Sequence, residues 1–144
     1  MSQAIELIKK EFERENIALV IFDHDKKIFE SSGDGLKPLF DFLKTNEGSF
    51  VKYYGLSWGD RVIGKATALL LVLLRPKEVF ANLLSETAAS TLTNFGITFE
   101  YEKKVPYILN IKKDDMCPFE KKVKDINDPV EAYQTLLNFL SELK

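Results

Sequence analysis

Asp60 and Lys65, just ahead of the long apolar run Ala66–Leu74, are the charged pair best placed in this sequence to do chemistry. A carboxylate at a pocket edge moves a proton or orients a ligand, and an ammonium beside it stabilises developing negative charge. Ser85-Glu86 follow a strand-like run and open a helix-like one, which is where open α/β sheets hold ligands. Cys117 precedes Pro118-Phe119-Glu120 and so stands at the start of a short helix, a position that favours the thiolate. Trp58, with Tyr53 and Tyr54 nearby, offers a face for a planar ligand. The chemistry of this set is binding of, or proton transfer on, a small polar or nucleotide-like molecule, with no metal or redox cofactor. Asp60, Lys65 and Cys117 are the candidate catalytic groups, and Ser85, Glu86, Glu120 and Trp58 the candidate ligand contacts.

Each of these residues also has a purely structural reading. Ser57-x-x-Asp60 fits a capping box, and a carboxylate in a first helical turn is worth about 0.3–1 kcal/mol. Lys65, one turn into an apolar helix, needs a carboxylate partner or a route to solvent, because unpaired burial is costly. Ser85 is a natural N-cap. A lone cysteine is commonly buried and inert, and Asp114, Asp115 and Glu120 oppose acidification of Cys117. The single histidine, His24, lies in an Asp-His-Asp turn far from Ser85 and Cys117, so neither a Ser-His-acid triad nor a Cys–His pair is supplied.

These residues need a scaffold. Ser2 caps a helix with Ile5, Ile8 and Phe12 on one face. Ile17–Phe22 reads as a buried strand, and Lys27–Glu30 as its hairpin partner after a turn at 23–26. Gly33 to Gly35 break the chain before a helix with Pro38 in its first turn. Residues 45–55 read as a loop or short strand. Ser57 to Leu74 reads as one central helix, polar at its N-terminal mouth (Asp60, Arg61, Lys65), apolar all round beyond it, and ended by Arg75-Pro76. A strand at Val79–Leu84, a helix from Ser85 to Gly96 and an alternating strand with Ile97, Phe99 and Tyr101 form a parallel βαβ unit. Val105–Leu109 reads as one more strand, and Asp128-Pro129-Val130-Glu131 starts a last helix. The expected class is α/β: a single domain over 1–144, a three-layer α/β/α sandwich whose mixed sheet joins an antiparallel hairpin to the parallel portion.

Composition narrows the function. The 144 residues are 45% hydrophobic with a formal charge of −2, a folded globule without the basic excess that nucleic-acid binding needs. One cysteine excludes an internal disulfide and any CxxC motif, and no secretory or transit segment is visible, so the cytoplasm is the expected location. The apolar run Ala66–Leu74, bracketed by Lys65 and Arg75, is far short of the roughly 20 residues of a membrane span.

Four motifs carry a resemblance: Gly35-Leu36-Lys37-Pro38-Leu39, Asp60-Arg61-Val62-Ile63-Gly64-Lys65-Ala66, Tyr101-Glu102-Lys103-Lys104-Val105-Pro106 and Cys117-Pro118-Phe119-Glu120. In this order the chain resembles the domain of unknown function 1893 family of bacteria and archaea, departing from it at Phe119, where methionine is usual. The resemblance implies a cytidine-deaminase-like fold without the zinc ligands. Zinc deaminases need an H-x-E…P-C-x-x-C pattern. The resemblance sets its first half against Asp60-Arg61-Val62 and its second against Ser85-Glu86-Thr87, and one histidine plus one cysteine cannot supply three N/S ligands. The rival expectation is a non-catalytic interaction or regulatory module, a homodimer formed through Phe99, Tyr101 or the helix faces.

Overall fold

The computed structural model describes residues 2–14 and 16–143. In chain order the elements are α1 (Gln3–Glu11), β1 (Ile17–Asp23), β2 (Lys26–Ser32), α2 (Lys37–Thr45), β3 (Ser57–Ile63), α3 (Lys65–Val72), β4 (Glu78–Ser85), α4 (Glu86–Asn94), β5 (Thr98–Val105), α5 (Pro118–Lys122) and α6 (Pro129–Glu142). The helix starts follow local chemistry. The Ser2 hydroxyl accepts the Ile5 amide at 3.0 Å, Ser85 accepts that of Ala88 at 3.0 Å, and the Asp128 carboxylate accepts that of Glu131 at 2.8 Å. Gly96, at φ 71°, closes α4 in the left-handed conformation that glycine adopts without strain.

The strands form one mixed sheet in the order β2-β1-β3-β4-β5. β1 runs antiparallel to both β2 and β3, while β3, β4 and β5 are mutually parallel, joined through α3 and α4. Side chains of β1 divide between the two faces of the sheet. Ile17, Val20 and Phe22 pack with Phe80 against Ile5, Ile8 and Phe12 of α1. Leu19 and Ile21 join the larger core, which takes in α2, α3, α4 and α6. At its centre is α3, with Ala66 through Leu71 buried. Among the described residues no helix is long and apolar enough to cross a membrane.

Two expected elements differ. Residues 57–63 are a central strand, not the first turns of the long helix; α3 begins only at Lys65, with Gly64 as its N-cap residue. Asp60 therefore caps no helix. The physical reason is that this segment is gripped between β1 and β4 and buried on both faces: Gly59 lies under α1, where a Cβ would stand 3.0 Å from Val20 Cγ1 and 3.1 Å from Phe12 Cε2. Arg61 is used on the same face, lying 4.9 Å over the Phe12 ring and donating to the carbonyls of Ile17 at 2.8 Å and Arg14 at 2.8 Å. Residues 106–109 are not a strand, although Leu109 bridges to Met116 in the loop that follows β5. Residues 50–53 are a single 3₁₀ turn.

Candidate functional site

Where β3 ends and α3 begins, the first backbone amides of the helix have no carbonyl within the helix to meet. The Glu120 carboxylate takes two of them, accepting from the Lys65 amide at 2.7 Å and the Ala66 amide at 2.9 Å. Local structure delivers Glu120 to this point. The Cys117 amide donates to the Ile108 carbonyl at 2.9 Å, Pro118 starts α5, and the Glu120 amide returns to the Cys117 carbonyl at 2.9 Å. Gly64 makes the seat: a Cβ there would stand 2.6 Å from Glu120 Cδ and 2.8 Å from its Oε2, so only a residue without a side chain admits the carboxylate. Burial pushes the Glu120 carboxyl above its ordinary range, while the two amides and the nearby Lys65 charge pull it back. The Lys65 ammonium forms no ion pair with it, donating instead to the Lys124 carbonyl at 2.9 Å. Partial burial lowers the Lys65 pKa, against the pull of Asp125 and Glu120.

An open cleft of about 1420 Å³ lies over this junction. Its inner wall is Gly64, Ala66, Thr67 and Glu120; Leu36 at the N-cap of α2, Phe40 of α2, Phe119 of α5, and Leu137 and Leu140 of α6 make it apolar. The loop 108–115 and Cys117 form the opposite side, and Lys37, Lys44, Lys112, Asp34 and Asp114 are among the charged residues along it. Lys37 is paired with Asp41 at 2.8 Å. The cleft lies outside the C-terminal end of β3, where ligands of open α/β sheets bind. A smaller hollow of about 170 Å³ lies at the opposite end of β3. There Glu78 accepts from the hydroxyls of Ser57 at 2.5 Å and Ser2 at 2.8 Å, which ties the start of α1 to the sheet.

The structure brings some of the candidate residues together and separates others. Glu120 and Cys117 line the cleft; Lys65 does not, its backbone amide being bonded to Glu120 and its ammonium to the Lys124 carbonyl. Asp60 does not line it. This residue is buried on β3 between Leu19 and Ala81, and burial pushes its carboxyl up to about 8 against the pull of the Val62 and Arg61 amides. Trp58 is fully buried, edge-on to Phe42 at 5.2 Å, with its indole N–H unpartnered. Ser85 caps α4 and Glu86 is exposed in its first turn, both away from the cleft. Among the described residues no three His, Cys, Asp or Glu side chains gather closely enough to hold a metal ion. Asp60-Arg61-Val62, against which the resemblance sets the first half of the zinc pattern, lie on β3, and α3 starts only at Gly64-Lys65-Ala66.

Sequence reading missed the seat at Gly64, the wall residue Thr67 and the loop 108–115. The only trace of the first was a glycine directly before an apolar helix, and nothing local pairs it with a glutamate so far along the chain.

No curated protein matches this chain. One solved structure that does is described as the crystal structure of a DUF1893 family protein (TM1506) from Thermotoga maritima; it is 28% identical, with a TM-score of 0.78 over 94% of this chain and 86% of that one. A family model described as domain of unknown function (DUF1893) matches residues 7–140. Nearly the whole described chain falls within that match, and the protein belongs to the DUF1893 family.

Proposed function

We propose that this protein has a cytidine-deaminase-like three-layer fold without zinc chemistry, and that its cleft binds a small polar or nucleotide-like molecule at the N-terminal end of α3. The fold reading is supported by an antiparallel hairpin leading into a parallel βαβαβ portion, with α1 on one face of the sheet and the other helices on the opposite face. One observation carries the binding reading: an apolar cleft whose inner wall presents a buried carboxylate, Glu120, beside the C-terminal end of a central parallel strand. The volume accommodates a nucleoside-sized molecule, and Phe40, Phe119 and Leu137 supply the surface on which a ring packs. Strand-edge assembly is the weaker reading, because the outer edge of β5 exposes Glu102, Lys103 and Lys104, charges that discourage pairing with another strand.

Thermal unfolding of the protein with a panel of nucleosides, nucleotides and sugar phosphates tests the cleft. A ligand at about 100 times its Kd stabilises the folded state by about 2.7 kcal/mol, a shift of several degrees. Asn138→Trp, at an exposed position on the cleft wall, should abolish that shift while leaving the melting of the ligand-free protein unchanged. No shift across the panel, together with a dimer in sedimentation, would replace this reading with the interaction module.

A further inference from the structure

We infer that two copies of this chain pair across their clefts, each seating Ile111 in the apolar cleft of the other, so that the ligand site is closed only in the dimer. The pairing stands on the surface alone; the closed site rests on the cleft binding a ligand. Ile111 lines the cleft and yet is 99% exposed, at the tip of the loop 108–115. Hydrogen bonds hold that loop in shape. The Cys117 amide donates to the Ile108 carbonyl and the Asn110 amide to the Asp115 carbonyl, both at 2.9 Å, and Lys121 pairs with Asp115. An apolar side chain held out in water is stabilised by a second surface that covers it. Val62 and Leu109 are exposed on the same cleft, so apolar surface gathers on this face. The cleft also has room to spare. Ligand pockets run to about 300–1,000 Å³ and enclose most of their ligand. This cleft is open and holds about 1420 Å³, so a nucleoside-sized molecule leaves part of its apolar wall wet.

Charge selects a second copy as the occupant. The α2 side of the cleft carries Asp34, Lys37, Asp41 and Lys44, alternating in sign. The loop on the opposite side carries Lys112 and Lys113, then Asp114 and Asp115. Among the described residues Asp34, Lys44 and Lys112 form no ion pair within the chain. A face with both signs on both sides complements itself about a two-fold axis: the loop lysines of one copy meet Asp34 and Asp41 of the other, and the loop acids meet Lys37 and Lys44. Each contact is then made twice. An anionic membrane, or a partner of one sign, would meet like charge on either wall.

Sedimentation velocity of the full chain from about 1 μM to about 1 mM should show a monomer passing into a dimer, at the modest affinity of a small interface. Fully burying an isoleucine is worth about tenfold or more in an equilibrium constant, and the symmetry counts it twice. Ile111→Asp should therefore weaken the dimer by about 100-fold or more. Ile111 has almost no contact within its own chain, so in dilute solution Ile111→Asp should melt as the unaltered protein does, which separates loss of the dimer from loss of the fold. Tyr101→Asp, on the exposed outer strand β5, should leave the dimer intact. A dimer that survives Ile111→Asp, or that dissolves in Tyr101→Asp, overturns this pairing. A monomer at every concentration overturns it too, and leaves Ile111 to a different body. A nucleoside that shifts the melting should shift it less in Ile111→Asp; an equal shift overturns the closed site. A dimer lost in Ile111→Asp, with no shift across the nucleoside panel, upholds the pairing and removes the ligand reading instead.

Discussion

Replacing Asp60 by asparagine should stabilise this protein, and by more the higher the pH. Asp60 is buried on the middle strand, and burial lifts its carboxyl to about 8 from an ordinary 3.8; only the amides of Val62 and Arg61 pull the other way. Between those two values the folded chain keeps a proton that the unfolded chain has released, so stability falls as pH rises through the window. The contribution is fully present below about pH 4 and lost above about pH 8. The rise from 3.8 to about 8 sets a ceiling of about 5–6 kcal/mol. Relaxation and water penetration around the charged form bring the measurable effect down to about 2–4 kcal/mol. Asparagine keeps the shape and the acceptor oxygen and carries no charge at any pH. Urea denaturation of both proteins at about pH 4 and about pH 9, at one ionic strength, should show a small difference at the lower value and about 2–4 kcal/mol in favour of Asp60→Asn at the higher. Parallel stability profiles, or a variant weakest at high pH, would refute the reasoning, because Asp60 would then be ionised and satisfied in the folded state.

Gly64→Ala should cost about 2–4 kcal/mol by denaturation midpoint, since its Cβ would displace Glu120 from two charge-assisted bonds; in a Glu120→Ala background the cost should largely vanish, as expected for two residues acting through one contact. Arg61→Lys should destabilise by about 2–3 kcal/mol in the same assay, because an ammonium cannot span the carbonyls of Ile17 and Arg14 while lying over the Phe12 ring. Ser85→Ala should cost about 1 kcal/mol and leave ligand binding at the cleft unchanged, which separates a cap from a ligand contact.

The parts of the fold legible in the sequence are those whose signals are local. Ser2, Ser85 and Asp128-Pro129 announce helix starts through side chains that bond amides three residues on, and β1 and β2 are joined by a turn whose His24 has φ 57°. The central strand was misread because its charged residues looked like the polar mouth of a helix. Arg61 is satisfied instead by carbonyls of the α1–β1 connection, a partnership that arises only once distant segments have packed, while Asp60 meets the neighbouring amides of Arg61 and Val62 and burial raises its carboxyl. The run after β5 has apolar residues enough for a strand, but past Val105 no neighbouring strand remains to pair with it, and Pro106 removes a donor. It lines the cleft as a loop instead, leaving Ile111 99% exposed.

The site was harder to read for the same reason, in sharper form. Glu120 sits 55 residues from the amide it caps, and only the finished fold shows that Gly64 leaves room for a carboxylate. That contact gives one group two tasks. It satisfies the buried start of α3, around which the core is built, and it forms the inner wall of the cleft. A change that loosens those amides must therefore alter the cleft wall as well. On the proposed binding role, stability of the α3 start and affinity in the cleft should be linked: variants at Gly64 should move both together, while variants at Ser85, which caps a helix away from the cleft, should move stability alone.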